Sequence, residues 1–317
     1  MKKFTSVVLA VLLSFSCLGT ALAQEDGTQT VAEKLEQTEK YLYGAVQTGA
    51  LVTRMDSVEK DLFGETKSGS VMARMDNVSQ AVHGTTTGGA PSLATTLNAV
   101  EWQFADRMSS DAAKARIENL EQTISGTTHA NQSLKTRMSS LVSSAFPAGA
   151  LTSSSAILPK DSLIKVKFMQ PISSKDNKQG EEIDFIVDDN VYVGETLVLP
   201  KGAKGYGTIK KIVQPRIFGR DARIDLEFSH VTAIDGTSVP VYIGELAKQE
   251  AKTVAGAAGA SIGGMILFGP VGIVGGAFVK GQSVTIPAGS YTFVQVTRDV
   301  AVNGLVQNSG AKIESAK

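Results

Sequence analysis

A motif that recurs about every 20 residues restricts the first half of this chain to a repeat architecture. Three copies, each ending in glycine, are Glu39-Lys-Tyr-Leu-Tyr-Gly44, Glu59-Lys-Asp-Leu-Phe-Gly64 and Ser79-Gln-Ala-Val-His-Gly84. A further copy runs from Arg116 to Gly126, and a degenerate one passes through Leu97, Val100, Glu101 and Phe104. Such self-similarity indicates one structural unit that is used several times.

Each unit has the apolar spacing of a short α-helix. In the second unit the apolar residues are separated by three, three and four positions, namely Val52, Met55, Val58 and Leu62. The polar residues among them include Arg54, Asp56, Glu59 and Lys60. Gly64 then suits a C-terminal cap. The spacing therefore predicts helices of roughly 12–14 residues joined by short loops bounded by glycine.

Helices this short are marginal alone and need a partner. That partner is either the neighbouring unit or the same unit of another subunit in a coiled-coil-like assembly. The helical repeat region, residues 24–142, is then either a spacer or a region that docks to the envelope, for example to a cell-wall polymer or another envelope protein. A stretch rich in Ser, Ala and Gly follows, which predicts a linker over residues 143–156.

The second half, residues 157–305, has the pattern of β-strands. Ile224, Leu226 and Phe228 alternate with polar residues, which indicates a strand with one buried face. Asp235-Gly236 predicts a hairpin turn after that strand. Two other short apolar segments end at the turns Pro200-Lys201-Gly202 and Pro287-Ala288-Gly289. The predicted fold class is α+β, with N-terminal α-helical repeats followed by an antiparallel β-barrel or sandwich and a tail over residues 306–317.

An uncharged stretch from Thr253 to Val279 interrupts the predicted strands. Gly269-Pro270 lies inside it, and proline breaks a helix interior, so the pattern predicts a Gly-rich apolar insert shaped as a broken helical hairpin. Small residues spaced four apart let helices approach closely, as in a glycine zipper, and the candidate membrane or self-association residues are Gly256, Gly259, Ala260, Gly263, Gly264, Gly272 and Gly276. The alternative is a plug inside the protein's own fold.

The N-terminus has the pattern of a secretory signal peptide over residues 1–23. Lys2 and Lys3 precede an apolar run, and Ala21-Leu22-Ala23 provides a cleavage site. The rival interpretation is a lipoprotein with its lipid on Cys17. Cleavage after Ala23 would leave no cysteine, so this exported chain would be stabilised by burial or assembly and not by disulfides.

The charge balance of the chain argues against a nucleic-acid-binding function. The chain has 31 basic and 31 acidic residues, so we expect no nucleic-acid partner. One local basic run is either a solvated hairpin or a contact for lipid phosphates or an acidic polymer, and its members include Lys210, Lys211, Arg216, Arg220 and Arg223.

Gly259-Ala260-Ser261-Ile262-Gly263 matches a nucleophile-elbow pattern, but it lies in the apolar insert and no histidine follows it. His83, His129 and His230 are too scattered to predict a shared metal. The sequence predicts no catalytic residue and no cofactor, and the protein is expected not to be an enzyme.

The order of short motifs in the second half resembles a known family. They are Leu197-Val-Leu-Pro-Lys-Gly202, Phe218-Gly219-Arg220, the Asp235-Gly236 turn, the apolar insert, and Val284-Thr-Ile-Pro-Ala-Gly289 before Val296-Thr-Arg-Asp299. This order is similar to the β-barrel domain of the outer-membrane core component of bacterial conjugation and type IV secretion systems, and to related exported proteins of unassigned role. The resemblance implies a ring of subunits whose inserts meet the outer membrane.

The sequence therefore predicts a structural component of the cell envelope of a diderm bacterium, in the periplasm or at the outer membrane. It is expected to form homo-oligomers and to contact the outer membrane or its lipids through the insert. The alternative is a soluble periplasmic binding module for a glycan or protein partner.

Overall fold

Short helices of nearly equal length fill the first half of the chain in the computed structural model, which describes residues 29–84, 90–146, 151–214, 222–257, 267–269, 272–274 and 283–306. The helices of this half are α1 (Val31–Tyr43), α2 (Leu51–Phe63), α3 (Val71–His83), α4 (Leu93–Ala105), α5 (Ala113–Ser125) and α6 (Leu134–Ala145). The first five have 13 residues each, which confirms the predicted helical repeat.

Local sequence explains where these helices begin and end. The Ser70 hydroxyl accepts a hydrogen bond from the Ala73 N–H, so it caps the N-terminus of α3. Gly64 has φ +88°, and its N–H donates to the Lys60 carbonyl at the end of α2. That left-handed conformation strains residues with a Cβ, so glycine is required there.

The repeat units pack against one another within this chain. Helix α1 contacts α3 and α5, helix α2 contacts α3 and α6, and helix α4 contacts α3, α5 and α6. The apolar stripe of α2 at Met55, Val58 and Leu62 is buried as a result. Neighbouring units in the same chain thus supply the partners that each short helix needs.

Helix α6 differs from the prediction because it continues through Ala145, into the Ser-rich stretch predicted as linker. The hydroxyls of Ser143 and Ser144 donate to carbonyls four residues earlier, which satisfies these side chains inside a helix. Leu141 and Ala145 complete a buried stripe. The serine content predicted a linker, but residues 143–145 are helical because the apolar residues around them have helical spacing.

The second half forms antiparallel strands in three sheets. They are β1 (Ser153–Leu158), β2 (Leu163–Phe168), β3 (Ile172–Ser173), β4 (Glu182–Val187), β5 (Val191–Val193), β6 (Thr196–Leu199), β7 (Lys204–Val213), β8 (Arg223–Thr232), β9 (Ser238–Tyr242), β10 (Leu267–Gly269), β11 (Gly272–Val274), β12 (Thr285–Ile286), β13 (Tyr291–Val296) and β14 (Val300–Val306). Since β1 begins at Ser153 and α6 ends at Ala145, the connection between the two halves is shorter than the predicted linker.

Six of these strands close into a barrel in the order β8-β7-β4-β2-β13-β9, and the β8–β9 pair completes the ring. The β8–β9 hairpin turns at Gly236, which has φ +87° as the Asp-Gly signal predicts. A second sheet has the order β1-β14-β6-β5, and β12 pairs with β3. The predicted α+β class with an antiparallel barrel is confirmed.

Aromatic side chains fill the barrel interior. The ring centroids of Phe185 and Phe228 lie 5.0 Å apart, and those of Phe168 and Phe228 lie 6.1 Å apart. A Cβ at Gly205 would lie 2.1 Å from the Phe185 ring, so only glycine fits at this point of β7. The barrel is therefore packed by its own strands.

The apolar insert begins inside a helix that packs on strand β13. Helix α7 (Glu245–Ala257) packs on β13, and the Ala247 N–H donates to the Gln295 side-chain carbonyl at 3.0 Å. Beyond it, β10 and β11 pair in antiparallel register, and Ile273 of β11 lies opposite Ile224 of β8.

The predicted helical hairpin is thus wrong for residues 267–269 and 272–274, which are extended. Phe, Ile and Val at these positions favour strands, and the edge of β8 offers a partner for them. The residues of the insert before Ala257 are helical as predicted.

Candidate functional site

The residues predicted for membrane contact or self-association lie along the insert. Gly256 is in helix α7, and Gly272 is in β11 opposite Gly269. The other five, Gly259, Ala260, Gly263, Gly264 and Gly276, lie outside the described residues. Within the described parts of the chain, no helix is both long enough and apolar enough to cross a membrane. The role of these residues stays a prediction.

The described members of the predicted anion-contact set lie on the paired strands β7 and β8. The Lys210 ammonium lies 3.2 Å from the Glu227 carboxylate, and the Arg223 guanidinium lies 3.0 Å from Asp225. Lys211 is exposed. Arg216 and Arg220 lie outside the described residues. Two of the three described cations are therefore already paired, and anion contact by this set stays a prediction.

The histidines are separated in the structure. His83 ends α3, His129 precedes α6, and His230 lies in β8. Among the described residues, no three His, Cys, Asp or Glu side chains come together as a metal site. Ser261 of the rejected nucleophile pattern lies outside the described residues.

A buried Glu–Arg pair joins successive helices at four of the five junctions between the described helices of the bundle. The glutamate is the ninth residue of its helix and the arginine is the fourth residue of the next. We call this set the charge ladder, and its pairs are Glu39–Arg54, Glu59–Arg74, Glu101–Arg116 and Glu121–Arg137. In every pair Nη2 lies 2.6–2.7 Å from Oε2, and Nε lies 2.9–3.0 Å from Oε1.

Each ladder glutamate also accepts a backbone N–H from the loop after its helix. The donors lie eight residues further on at 2.7–3.0 Å, and they are Gln47, Lys67, Ser109 and His129. One carboxylate thus orders the loop and fixes the next helix. Burial alone would raise the pKa of Glu59 and of Glu121, but the hydrogen bonds from arginine and from the loop outweigh it and hold both pKa values below the usual range of glutamate.

Apolar periodicity did not identify the ladder, because it treats every charged residue between apolar positions alike. Glu59 is 0% exposed, and Arg137 is 1% exposed. The available signal was the recurrence of Glu and Arg about 15 residues apart at fixed positions of the repeat. Charged residues that recur in register across repeat units indicate pairing between units.

The ladder lacks both members at the α3–α4 junction. Ser79 is the ninth residue of α3 and Thr96 is the fourth residue of α4, so neither partner is charged. A groove of about 750 Å³ opens beside this junction, with Thr96 in its wall. Its apolar lining includes Leu62, Phe63, Leu93, Met138, Val142 and Phe146. This groove therefore lies beside the α3–α4 junction, which is the junction between described helices that lacks a Glu–Arg pair.

Helix α4 attaches the bundle to the barrel. The Asn98 side chain accepts from Arg116 Nη2 at 2.6 Å and donates to the Ile234 carbonyl in the β8–β9 turn at 2.7 Å. A Cβ at Gly202 would lie 1.9 Å from the Asp106 carbonyl oxygen, so the turn between β6 and β7 approaches the end of α4 closely. These contacts join the charge ladder directly to the barrel.

A cavity of about 290 Å³ lies beside this attachment and is the candidate site. We call it the junction cavity, and the side chains most relevant to its chemistry are Tyr41, His83, Asn98, Arg116, Lys204 and Tyr206. The rings of Tyr41 and His83 meet edge to face, with centroids 4.7 Å apart. Burial lowers the pKa of His83, so its imidazole is neutral at pH 7.

The Tyr41 hydroxyl is the unusual group of this cavity. It is buried, and no described group accepts a hydrogen bond from it, although the Arg116 guanidinium lies close enough to act as a donor toward its oxygen. Burial raises the pKa of Tyr41 to about 12, and the nearby Arg116 guanidinium only partly opposes that shift. The hydroxyl therefore stays protonated and is a hydrogen-bond donor at neutral pH.

The likeness of this chain to known proteins is weak. No protein-family model matches the chain, and no curated protein matches it. Among solved structures, ComB10 of the Com type IV secretion system of Helicobacter pylori is similar over 46% of this chain and 89% of that chain, with 16% sequence identity and a TM-score of 0.27. The architecture described above rests on the hydrogen bonding and packing of this chain alone.

Proposed function

We propose that this protein is a non-enzymatic structural component of the bacterial cell envelope. It is exported to the periplasm, forms homo-oligomers and contacts the outer membrane through the apolar insert between Thr253 and Val279. The helical bundle is the part that faces the periplasm and meets cell-wall polymer or another envelope protein.

The observation that supports this proposal is that the barrel interior is already occupied. Phe168, Phe185 and Phe228 pack across it, and Gly205 has no room even for a Cβ. An uncharged segment as long as the insert is costly to leave in water, and the barrel core does not need it as a plug. A lipid surface or other copies of the insert would bury it.

Membrane fractionation tests the proposal. The full chain is compared with a variant in which residues 258–280 are replaced by a short Gly-Ser linker that keeps helix α7. We expect the full chain in the outer-membrane fraction and the variant in the periplasmic extract. Because a lipid on Cys17 would also give membrane association, both chains are made with Cys17→Ala as the matched control. Circular dichroism of the purified variant checks that the bundle and barrel remain folded.

The oligomeric state is measured by mass photometry of detergent-extracted protein, with rings sought by electron microscopy. A full-length chain that is soluble and monomeric without detergent would contradict the proposal. That result would favour the second candidate, a soluble periplasmic binding module for a glycan or protein partner. The groove beside the α3–α4 junction is the observation that favours this second function.

A further inference from the structure

We propose that the junction cavity binds a small organic anion, either a carboxylate or a phosphate ester of metabolite size. This inference does not depend on the envelope role, because it rests on residues of the bundle and barrel and not on the insert. Its volume of about 290 Å³ is close to the lower end of the ~300–1,000 Å³ range of small-molecule sites.

The unused hydrogen-bonding capacity of the cavity includes one fully buried donor. The Tyr41 O–H is buried and has no acceptor among the described residues. A buried donor without an acceptor is unfavourable unless something fills the position, so a ligand oxygen at this point would remove the cost.

Two ammonium groups add positive charge to the same wall. Lys204 is half-buried, and its only hydrogen-bond contact among the described residues is the Ser110 hydroxyl at a long 3.4 Å. Lys40 lies at the rim and forms no ion pair with a described carboxylate. Hydrogen bonds from ammonium groups to an oxyanion are stronger than those between neutral groups, which favours an anionic ligand over a neutral one.

Two carboxylates, Asp111 and Asp235, also line the cavity and keep their negative charge, but most of their oxygens already accept hydrogen bonds from the protein. Asp235 accepts from the Thr237 N–H at 2.9 Å and from the Asn303 N–H at 2.7 Å. Asp111, at the exposed edge, accepts from the Ser109 hydroxyl at 2.8 Å. A ligand that supplies acceptors therefore finds the Tyr41 hydroxyl and the Lys204 ammonium as partners.

Calorimetric titration of the full chain at low salt tests the proposal. The probes are glucuronate, which carries a carboxylate, glucose 6-phosphate, which carries a phosphate ester, and glucose, which is the uncharged control of similar shape. We expect saturable binding of at least one anion and none of glucose. The two anionic arms distinguish carboxylate from phosphate recognition, and added salt should weaken binding.

Three variants locate the site. Lys204→Gln should weaken anion binding about tenfold or more, because it removes a charged donor, and Tyr41→Phe should weaken it about twofold to tenfold. Lys210→Gln is the matched control, since it removes a lysine from the same strand β7 outside the cavity. Binding by neither anion, equal binding of glucose, or an equal loss in Lys210→Gln would overturn the proposal.

Stability of Tyr41→Phe provides an independent check. Removing a buried hydroxyl that has no acceptor should leave the midpoint of urea unfolding unchanged or higher. A clearly lower midpoint would mean that the hydroxyl is already hydrogen-bonded within the fold, and the assignment of Tyr41 as a ligand donor would then be wrong.

Discussion

The helical bundle and the barrel hold their interiors together by different means. In the bundle, every regular junction places a buried Glu–Arg pair beside an apolar stripe, as in Glu121–Arg137. In the barrel, the interior is aromatic and aliphatic, with Phe185 against Phe228. In the barrel, backbone hydrogen bonds between strands fix which strands are neighbours. Short helices with similar apolar faces could instead pack in several registers. We infer that the charge ladder specifies which helices are neighbours in the bundle.

Breaking one ladder pair should give the largest effect. In Glu121→Ala, Arg137 loses its carboxylate partner while it stays buried, so we expect the free energy of unfolding to fall by ~3–5 kcal/mol. Urea denaturation followed by circular dichroism measures this. The control is Glu65→Ala, which removes an exposed ion pair with Lys67 in the same bundle and should leave the stability almost unchanged. Equal losses in the two variants would contradict a special role for burial.

The natural gap in the ladder suggests a sharper test. Glu59→Ser alone leaves the buried Arg74 with only the Asp56 carboxylate, whereas Glu59→Ser with Arg74→Thr reproduces the uncharged combination found at Ser79 and Thr96. We expect the double variant to be more stable than the single one by about 1–3 kcal/mol, because no buried charge remains unpaired. A double-mutant cycle in urea measures the coupling, and strictly additive losses would refute the pairing.

In the barrel, the sensitive property is volume. Gly205→Ala places a methyl group against the Phe185 ring, and this overpacking should cost ~1–3 kcal/mol. Gly205→Ala combined with Phe185→Leu should recover part of that loss, since the smaller side chain makes room. Thermal unfolding of the four chains of this cycle gives the comparison. An unchanged melting temperature in Gly205→Ala would show that the strand moves aside freely.

Lowering the pH should destabilise the helical bundle more than the barrel. The pKa values of Glu59 and Glu121 are held below those of the unfolded chain, so their contribution is complete above the unfolded pKa of ~4.3 and is lost as the pH falls through the folded values. Each group can contribute at most about 1.4 kcal/mol per pH unit in that window.

Urea midpoints at pH 7, 4 and 3 should therefore fall more steeply in the natural chain than in a variant with Glu121→Met and Arg137→Met. Parallel curves for the two chains would contradict the assignment of this acid sensitivity to the ladder.

Sequence predicted the parts of the fold that depend on local periodicity. The apolar spacing at Met55, Val58 and Leu62 and the glycine at Gly64 were enough to place helix α2, and the alternation at Ile224 and Phe228 was enough to place β8. Residue composition was less reliable, because it assigned the end of α6 to a linker. The strands β10 and β11 were missed because their pairing depends on the edge of β8, where Ile224 lies 49 residues before its partner Ile273.

The candidate site could not be predicted in the same way. The junction cavity combines residues from α1, α3, α4, α5 and β7, and nothing in the local pattern around Tyr41 or Lys204 indicates that they share a wall. The ladder was more accessible, because Glu and Arg recur in register and disappear together at Ser79 and Thr96. Position within a repeat carries information that the chemistry of a single residue does not.

The hydrogen bond from Asn98 to Ile234 has a consequence for the order of folding. Ladder partners are only 15 or 16 residues apart, so each pair joins adjacent helices through a local contact that forms quickly. The Asn98 hydrogen bond cannot form until Ile234, 136 residues later, is in place, and β1 cannot pair until β14 is present. The bundle can thus assemble as soon as its helices emerge during synthesis, while β1 and the surface of α4 remain incomplete until β14 is made. A chaperone that acts on this chain during folding would therefore bind β1 and the surface of α4 while the rest of the bundle is already folded.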